Sequence, residues 1–307
     1  MTSAEALARS ERIASLPLEK VGQKAGVFLG FATSISAIWQ HRELAFLLAR
    51  REVKARYSDS SLGLAWSLVR PVAQLLVYYF VIGEVLGAAR QIPSFGLFMF
   101  IGLTGWTYFT EIVSRATSSI VENQGIVKKV YLPREIFPLA SLGSALFTLA
   151  VQAIVFVGAV AVFGGMPSVR SLPYAALGLL VLTVFGLAVG TLLSAVNVYL
   201  RDVEHMVEVF LIVFFWVSPI VYSFAMVHDR LGDGVGASLY VANPVTAAIL
   251  GLQRGLWVAG APGTGVVEAF PPHLADILFA VLGLSLVLLW AAQRVFARLQ
   301  GNFAQVL

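Results

Sequence analysis

The sequence predicts an all-α membrane protein with six transmembrane helices. An amphipathic interface helix stands before the first of them, and short re-entrant gate helices lie between the fifth and the sixth. Three observations carry this. Hydrophobic residues make up 58% of the 307 residues and charged residues only 12%, with a mean hydropathy of +0.83. An average soluble domain carries about a quarter charged residues, so a soluble protein this apolar cannot cover its own surface. Second, the apolar residues gather into runs long enough to cross a bilayer, which takes roughly 20 residues in a helix. Third, the cations fall on alternating sides of those runs.

The elements follow in order. Residues 1–39 form an N-terminal cytoplasmic or membrane-surface segment. Within it Ala25–Trp39 is apolar and follows Lys20 and Lys24, in the manner of a signal peptide. Cleavage there would export Arg50, Arg51, Lys54 and Arg56 to the wrong side, so a surface segment is the better reading. Residues 40–61 form the interface helix. In QHRELAFLLARREVKARY, Leu44, Leu47, Leu48 and Arg51 recur at helical spacing with further cations beside them. Such a helix buries its leucines in the interface and offers its cations to lipid phosphates. The same cations also fit a plain basic juxtamembrane stretch that sets topology alone.

Residues 62–307 hold the six spans, over 64–86, 95–114, 136–163, 173–197, 206–226 and 274–293. The first is interrupted by Arg70 and Glu84. They stand 14 residues apart, about 21 Å along a helix, so each reaches an interface. With these spans sixteen Lys and Arg lie on one side and four on the other. The excess marks the cytoplasmic side and puts both termini there, as an even number of spans requires. Residues 225–273 are too long for a turn. They contain Val241–Gln253, apolar but too short to span, with Asn243-Pro244 near its start and the Gly-rich Gly260–Gly265 beyond its end. That pattern fits helices that dip into the membrane and return, as a gate on the outer face. Gly186 and Gly190 stand one helical turn apart inside a span, where they admit a neighbouring backbone.

Several chemistries are excluded. With no cysteine there are no disulfides, thiolate metal sites or cysteine nucleophiles. No Gly-Lys pair exists to build a Walker A loop, and no His-Glu-x-x-His or Gly-x-Ser-x-Gly occurs. The four histidines are scattered, so no metal site and no catalytic set is expected. The charge of +4 lies in short clusters beside apolar runs, which does not point to nucleic acid. No acidic pair sits at mid-membrane to couple transport to protons. The chain reads as a pathway that lacks its own energy source.

Three passages share a family likeness. Arg51–Pro71 reads REVKARYSDSSLGLAWSLVRP. Phe100–Pro138 reads FIGLTGWTYFTEIVSRATSSIVENQGIVKKVYLPREIFP. Arg201-Asp202 precedes the fifth span, followed by Ser218-Pro219-Ile220-Val221-Tyr222, by Asn243-Pro244 and by LQGNFA near the end. From about residue 40 onward the chain resembles the permease subunit of type-2 ABC exporters for bacterial surface polysaccharides, the O-antigen, teichoic acid and galactan exporters. The resemblance implies a homodimer in the bacterial cytoplasmic membrane. It also implies two separate ATP-binding subunits, which hold the ATP and magnesium, and a lipid-linked polysaccharide as cargo.

The resemblance assigns roles. Residues 115–135 become the loop that couples to the ATPase, with Glu122, Asn123, Lys128, Lys129, Tyr131 and Arg134 as contacts and Arg201 and Asp202 as a second set. Tyr78, Tyr79, Trp106, Tyr108, Phe109, Phe215 and Trp216 are candidates to line a conduit. Aromatic walls pack the C–H faces of sugars while Tyr and Trp donors meet hydroxyls. Interfacial belts and lipid-facing surface use the same residue types. Arg51, Lys54, Arg56 and Arg70 are candidates to attract a lipid diphosphate at the cytoplasmic entrance. Pro219, Tyr222, Asn243 and Pro244 mark the external gate. A type-2 permease for lipids, drugs or peptides remains an alternative. An intramembrane transferase is weaker, because no paired acids or histidines gather at one membrane face.

Overall fold

A computed structural model describes Ser36 and residues 39–57, 65–90, 92–130, 132–163, 166–232, 234–260 and 270–307. Most of the expected surface segment 1–39 lies outside these residues. So do 58–64, Tyr131 and the Gly-rich residues 261–265.

Every regular element among the described residues is helical. The interface helix α1 spans Arg42–Tyr57. It turns Leu48 and Ala49 inward and leaves Phe46 and Leu47 exposed. Next comes α2, Ala65–Tyr78, which runs on through a wider π-helical stretch over Tyr79–Val85. Pro71 sits inside it, where its ring removes one backbone bond. Then α3, Phe95–Glu122, is 28 residues long, about 42 Å, and overshoots a hydrocarbon core of roughly 30 Å. The apolar signal stops near Arg115, but the helix continues to Glu122, because a helix needs no bilayer around its last two turns.

The short α4, Gln124–Val127, leads to α5, Ile136–Phe163, and α6, Leu172–Asn197. After them α7 covers only Val203–Val217, 15 residues, about 22 Å. The expected fifth span of 206–226 is therefore corrected at its far end. Ser218 is extended, with φ −95° and ψ 146°, because the following Pro219 excludes helical backbone from the residue before it. A separate short helix, α8, then spans Phe224–Leu231. Helices α9, Val235–Ala242, and α10, Pro244–Leu256, meet at a bend of 79°. Asn243 causes the break. Its side chain accepts from the Val245 backbone N–H at 3.1 Å, and Pro244 occupies the first turn, where a missing N–H costs nothing. The chain ends in α11, Leu274–Leu299, and the single turn α12, Phe303–Val306.

Among the described residues, five helices are long and apolar enough to cross a membrane: α2 with its π-helical extension, α3, α5, α6 and α11. Counting the bent α9–α10 pair as one broken span gives six. At the centre stands α3, with α5, α6 and α10 packed around it. Small residues permit the close approach. A side chain on Gly190 would sit 2.5 Å from Ala116 on α3, and one on Gly186 would press on Ile112. The same device joins α10 to α6, where Gly178 lies under the Ala248 carbonyl and Gly255 against Ala175. Two hydrophobic clusters result. The larger runs through α3, α6, α10 and α11, and the smaller ties α1 and α12 to the neighbouring helix ends.

Candidate coupling, conduit and gate sites

The expected coupling residues divide by burial. At the end of α3, Asn123 is buried, with only 5% of its surface exposed. Its Nδ2 donates to the Ser119 carbonyl at 2.8 Å, and its Oδ1 accepts from the Arg51 guanidinium of α1. One candidate for coupling and one for the lipid-diphosphate entrance thus hold each other. Glu122 is exposed and accepts from the Ser118 hydroxyl at 2.8 Å. Lys128 and Lys129 are exposed beyond α4, as are Arg201 and Asp202 between α6 and α7. Arg134 is half-buried, its guanidinium 5.7 Å from the Phe303 ring of α12.

Two acids packed between elements, Glu52 half-buried and Glu135 buried, escaped the sequence reading. Glu52 of α1 accepts from the Ser144 hydroxyl of α5 at 2.9 Å. Burial pushes its carboxyl above the usual range, and the Ser144 bond opposes the shift. Glu135, at the start of α5, accepts from the Gln300 amide at 3.3 Å and is likewise raised by burial. Glu52 had a signal: Leu44, Leu48 and Glu52 recur every four residues on one helical face. Nothing local marked Glu135. Of the other entrance candidates, Lys54 is exposed on α1 and Arg70 on α2. The Arg56 side chain lies outside the described residues.

Four of the seven conduit candidates form a connected aromatic row, and a fifth, Trp216, branches from it at Phe215. Tyr78 of α2 stands 6.3 Å from Phe215 of α7. Phe215 meets the edge of Trp106 on α3 at 5.6 Å, and Trp106 lies 5.9 Å from Phe109. Phe109 then stacks on Phe185 of α6 at 5.7 Å, a member the sequence reading missed. Tyr79 is half-buried and Trp216, packed edge-on to Phe215, is 57% exposed. Tyr108 stands apart. It is buried and shares a hydrogen bond with the Thr183 hydroxyl of α6 at 2.8 Å, so it braces the core rather than joining the row.

The expected gate residues are pinned. Pro219 is buried, and its carbonyl accepts from the Gln253 amide of α10 at 2.8 Å. Tyr222 donates to the Trp216 carbonyl at 2.9 Å and accepts from the Tyr240 hydroxyl at 3.3 Å. Trp257 donates to the Pro93 carbonyl at 2.9 Å. These bonds bind the break after α7, the bend at Asn243-Pro244 and the loop before α3 into one layer. Gln253, the polar residue at its centre, was not singled out from the sequence.

Comparison with known proteins agrees with this architecture. The ABC-2 type transporter family matches residues 43–257. The chain is 29% identical over 273 residues to an O-antigen export system permease protein, RfbA, of Myxococcus xanthus, covering 88% of this chain and 98% of that protein. It is 27% identical over 268 residues to the protein of the same name from Klebsiella pneumoniae, covering 86% and 95%. A shorter likeness, 32% over 76 residues, links it to the polysialic acid transport protein KpsM of Escherichia coli, over 25% of this chain and 30% of that one. A match from the interface helix to the residue after α10, on an all-helical frame with five or six candidate spans among the described residues, leaves one assignment: the chain belongs to the ABC-2 type transporter family.

Proposed function

We propose that this chain is the membrane-spanning, non-enzymatic subunit of an ATP-driven exporter that moves a lipid-linked polysaccharide from the cytoplasmic to the outer side of a bacterial inner membrane. One observation carries the reading: the likeness runs nearly end to end, over 98% of an O-antigen export permease. Two copies form the pathway, and two ATP-binding subunits dock on the cytoplasmic side. Both termini lie on that side, where the basic residues concentrate.

In this reading residues 115–135 couple the two kinds of subunit. The exposed Lys128 and Lys129 at the tip of the loop and the exposed Arg201 and Asp202 offer contacts. Asn123 works from inside. By holding Arg51 it makes α1 move with the loop, so a push on α4 reaches the interface helix as a rigid body. Lys54, Arg56 and Arg70 attract the diphosphate of the cargo. The aromatic row through Tyr78, Phe215, Trp106 and Phe109 offers sugars sequence-tolerant faces that permit sliding. On the outer side the layer around Pro219, Tyr222, Asn243 and Pro244 closes the path until the helices separate.

The test is depletion of the chain in its host. Lipid-linked glycan is expected to accumulate on the cytoplasmic side while surface glycan falls. Unchanged surface glycan would refute the reading, and accumulation of a different lipid would favour the broader type-2 permease.

A further inference from the structure

The element expected to couple is poorly equipped to hold itself. Helix α4 has four residues, far below the length at which a helix is stable alone. Gln124, Gly125, Lys128 and Lys129 in and after it are exposed, and Val127 is its one buried residue. Where α4 sits is therefore decided by what Val127 packs on.

That backing comes from the other end of the sequence. Helix α12 lies against α4, and Val127 shares a cluster with Phe303, Phe296, Ile136 and Ile120. Phe303 is fully buried. Its ring meets Phe296 of α11 edge-on at 5.5 Å and Tyr199, between α6 and α7, at 6.1 Å. The Arg134 guanidinium lies 5.7 Å from the same ring. Two hydrogen bonds fix the approach: the Tyr199 hydroxyl donates to the Leu299 carbonyl at 2.9 Å, and the Gln300 amide donates to Glu135 at 3.3 Å. A single ring thus joins the last span, the second loop on this side and the coupling loop.

We infer that the segment Gln300–Leu307 is an internal buttress for the coupling loop, with Phe303 as the positioning residue that holds α4 and Arg134 where an ATP-binding subunit is met. The inference rests on the export reading above. Without the ring, α4 loses its support and Arg134 its cation–π partner, while the spans above remain packed by the separate larger cluster. Force from the ATPase is then absorbed by a yielding loop.

The experiment uses the full complex with its ATP-binding subunit in membrane vesicles. Phe303→Ala is compared with Phe303→Tyr and with a control, Phe98→Ala, which removes an equally buried ring from the larger cluster. ATP hydrolysis is read per assembled complex. Phe303→Ala is expected to lower kcat roughly tenfold with KM for ATP unchanged, the cost of a displaced but intact element. Phe303→Tyr is expected to retain activity, and Phe98→Ala to reduce the yield of complex but not its kcat. If Phe303→Ala fails to accumulate, Phe303→Leu is judged by the same split. Wild-type kcat in the assembled Phe303 variant, or an equal loss in Phe98→Ala, would overturn the inference. A wild-type chain that neither binds nor stimulates an ATP-binding subunit would instead refute the export reading itself.

Discussion

Helices α2 and α3 are both apolar enough to span a membrane, yet they live in different surroundings. Of the spanning stretch of α3, 78% is buried inside the chain, whereas for α2 the share is 6%. Composition alone does not separate them. The difference lies in what meets each helix: α3 receives Gly186 and Gly190 of α6 and sends Gly105 toward Leu252 of α10, so backbones close in from two sides. Along α2 run Val69, Val72, Leu76, Val77 and Phe80, all large and all exposed. Hydropathy reports that a helix enters the membrane. Small residues report which helix becomes the core. In the proposed dimer, the bare face of α2 is left for lipid and for the second copy.

Four substitutions, with Ala73→Leu as a control, grade this contrast from strong to weak. Gly190→Leu drives a side chain into Ala116, and overpacking of this kind costs about 3 kcal/mol. Little folded protein should survive detergent extraction, whereas Ala73→Leu on the exposed side of α2 should extract normally. Tyr108→Phe deletes the bond to Thr183 and should cost about 1 kcal/mol in apparent stability. Export should persist, because Tyr108 lies off the aromatic row; lost export at normal stability would place Tyr108 in the conduit. Asn243→Ala removes the cap of α10, also about 1 kcal/mol. That variant should loosen the outer layer first, seen as faster amide exchange in α10 than in α3. Phe80→Ala on α2 should change the stability of the single chain by under about 0.5 kcal/mol, and a large loss would show that α2 is packed after all.

The smallest effect is on pH. Burial raises the Glu135 and Glu52 carboxyls above their ordinary values. The folded chain then holds protons that the unfolded chain has released. Their contribution to stability is present below the ordinary carboxylate range and is lost as pH rises through the raised values. Thermal midpoints should therefore fall gently from mildly acidic to neutral pH, and Glu135→Gln should flatten the slope. An unchanged slope would remove Glu135 as its source.

Much of this was readable from residues in order. The bend at Asn243-Pro244 was visible because a capping oxygen followed by proline has one good use in a helical protein. Gly186 and Gly190 were visible as a pair one turn apart inside a span. Ser218-Pro219 carried equally clear information, yet hydropathy continues past it, and a reading led by hydropathy ran one helix through the break. The end of α3 misled for the opposite reason, since apolar character stops before the helix does. Asn123 shows the deeper limit. As a polar residue in a charged loop it invites an exposed role, yet it is buried and its Oδ1 is met by Arg51, 72 residues earlier. No local pattern encodes that pairing. The aromatic row is similar: helical spacing offers Trp106 and Phe109 a shared face, but the contacts of Tyr78, Phe215 and Phe185 with them were decided by the packing of α2, α3, α6 and α7.

In the proposed function this chain is a pathway driven by a partner. The direct measurement places the purified chain in vesicles with its ATP-binding subunit and a labelled lipid-linked glycan, and follows the label across the bilayer. Transfer is expected to require ATP and both proteins, with none from this chain alone. Transfer by this chain without the partner, or none from the complete complex supplied with ATP, would contradict that function.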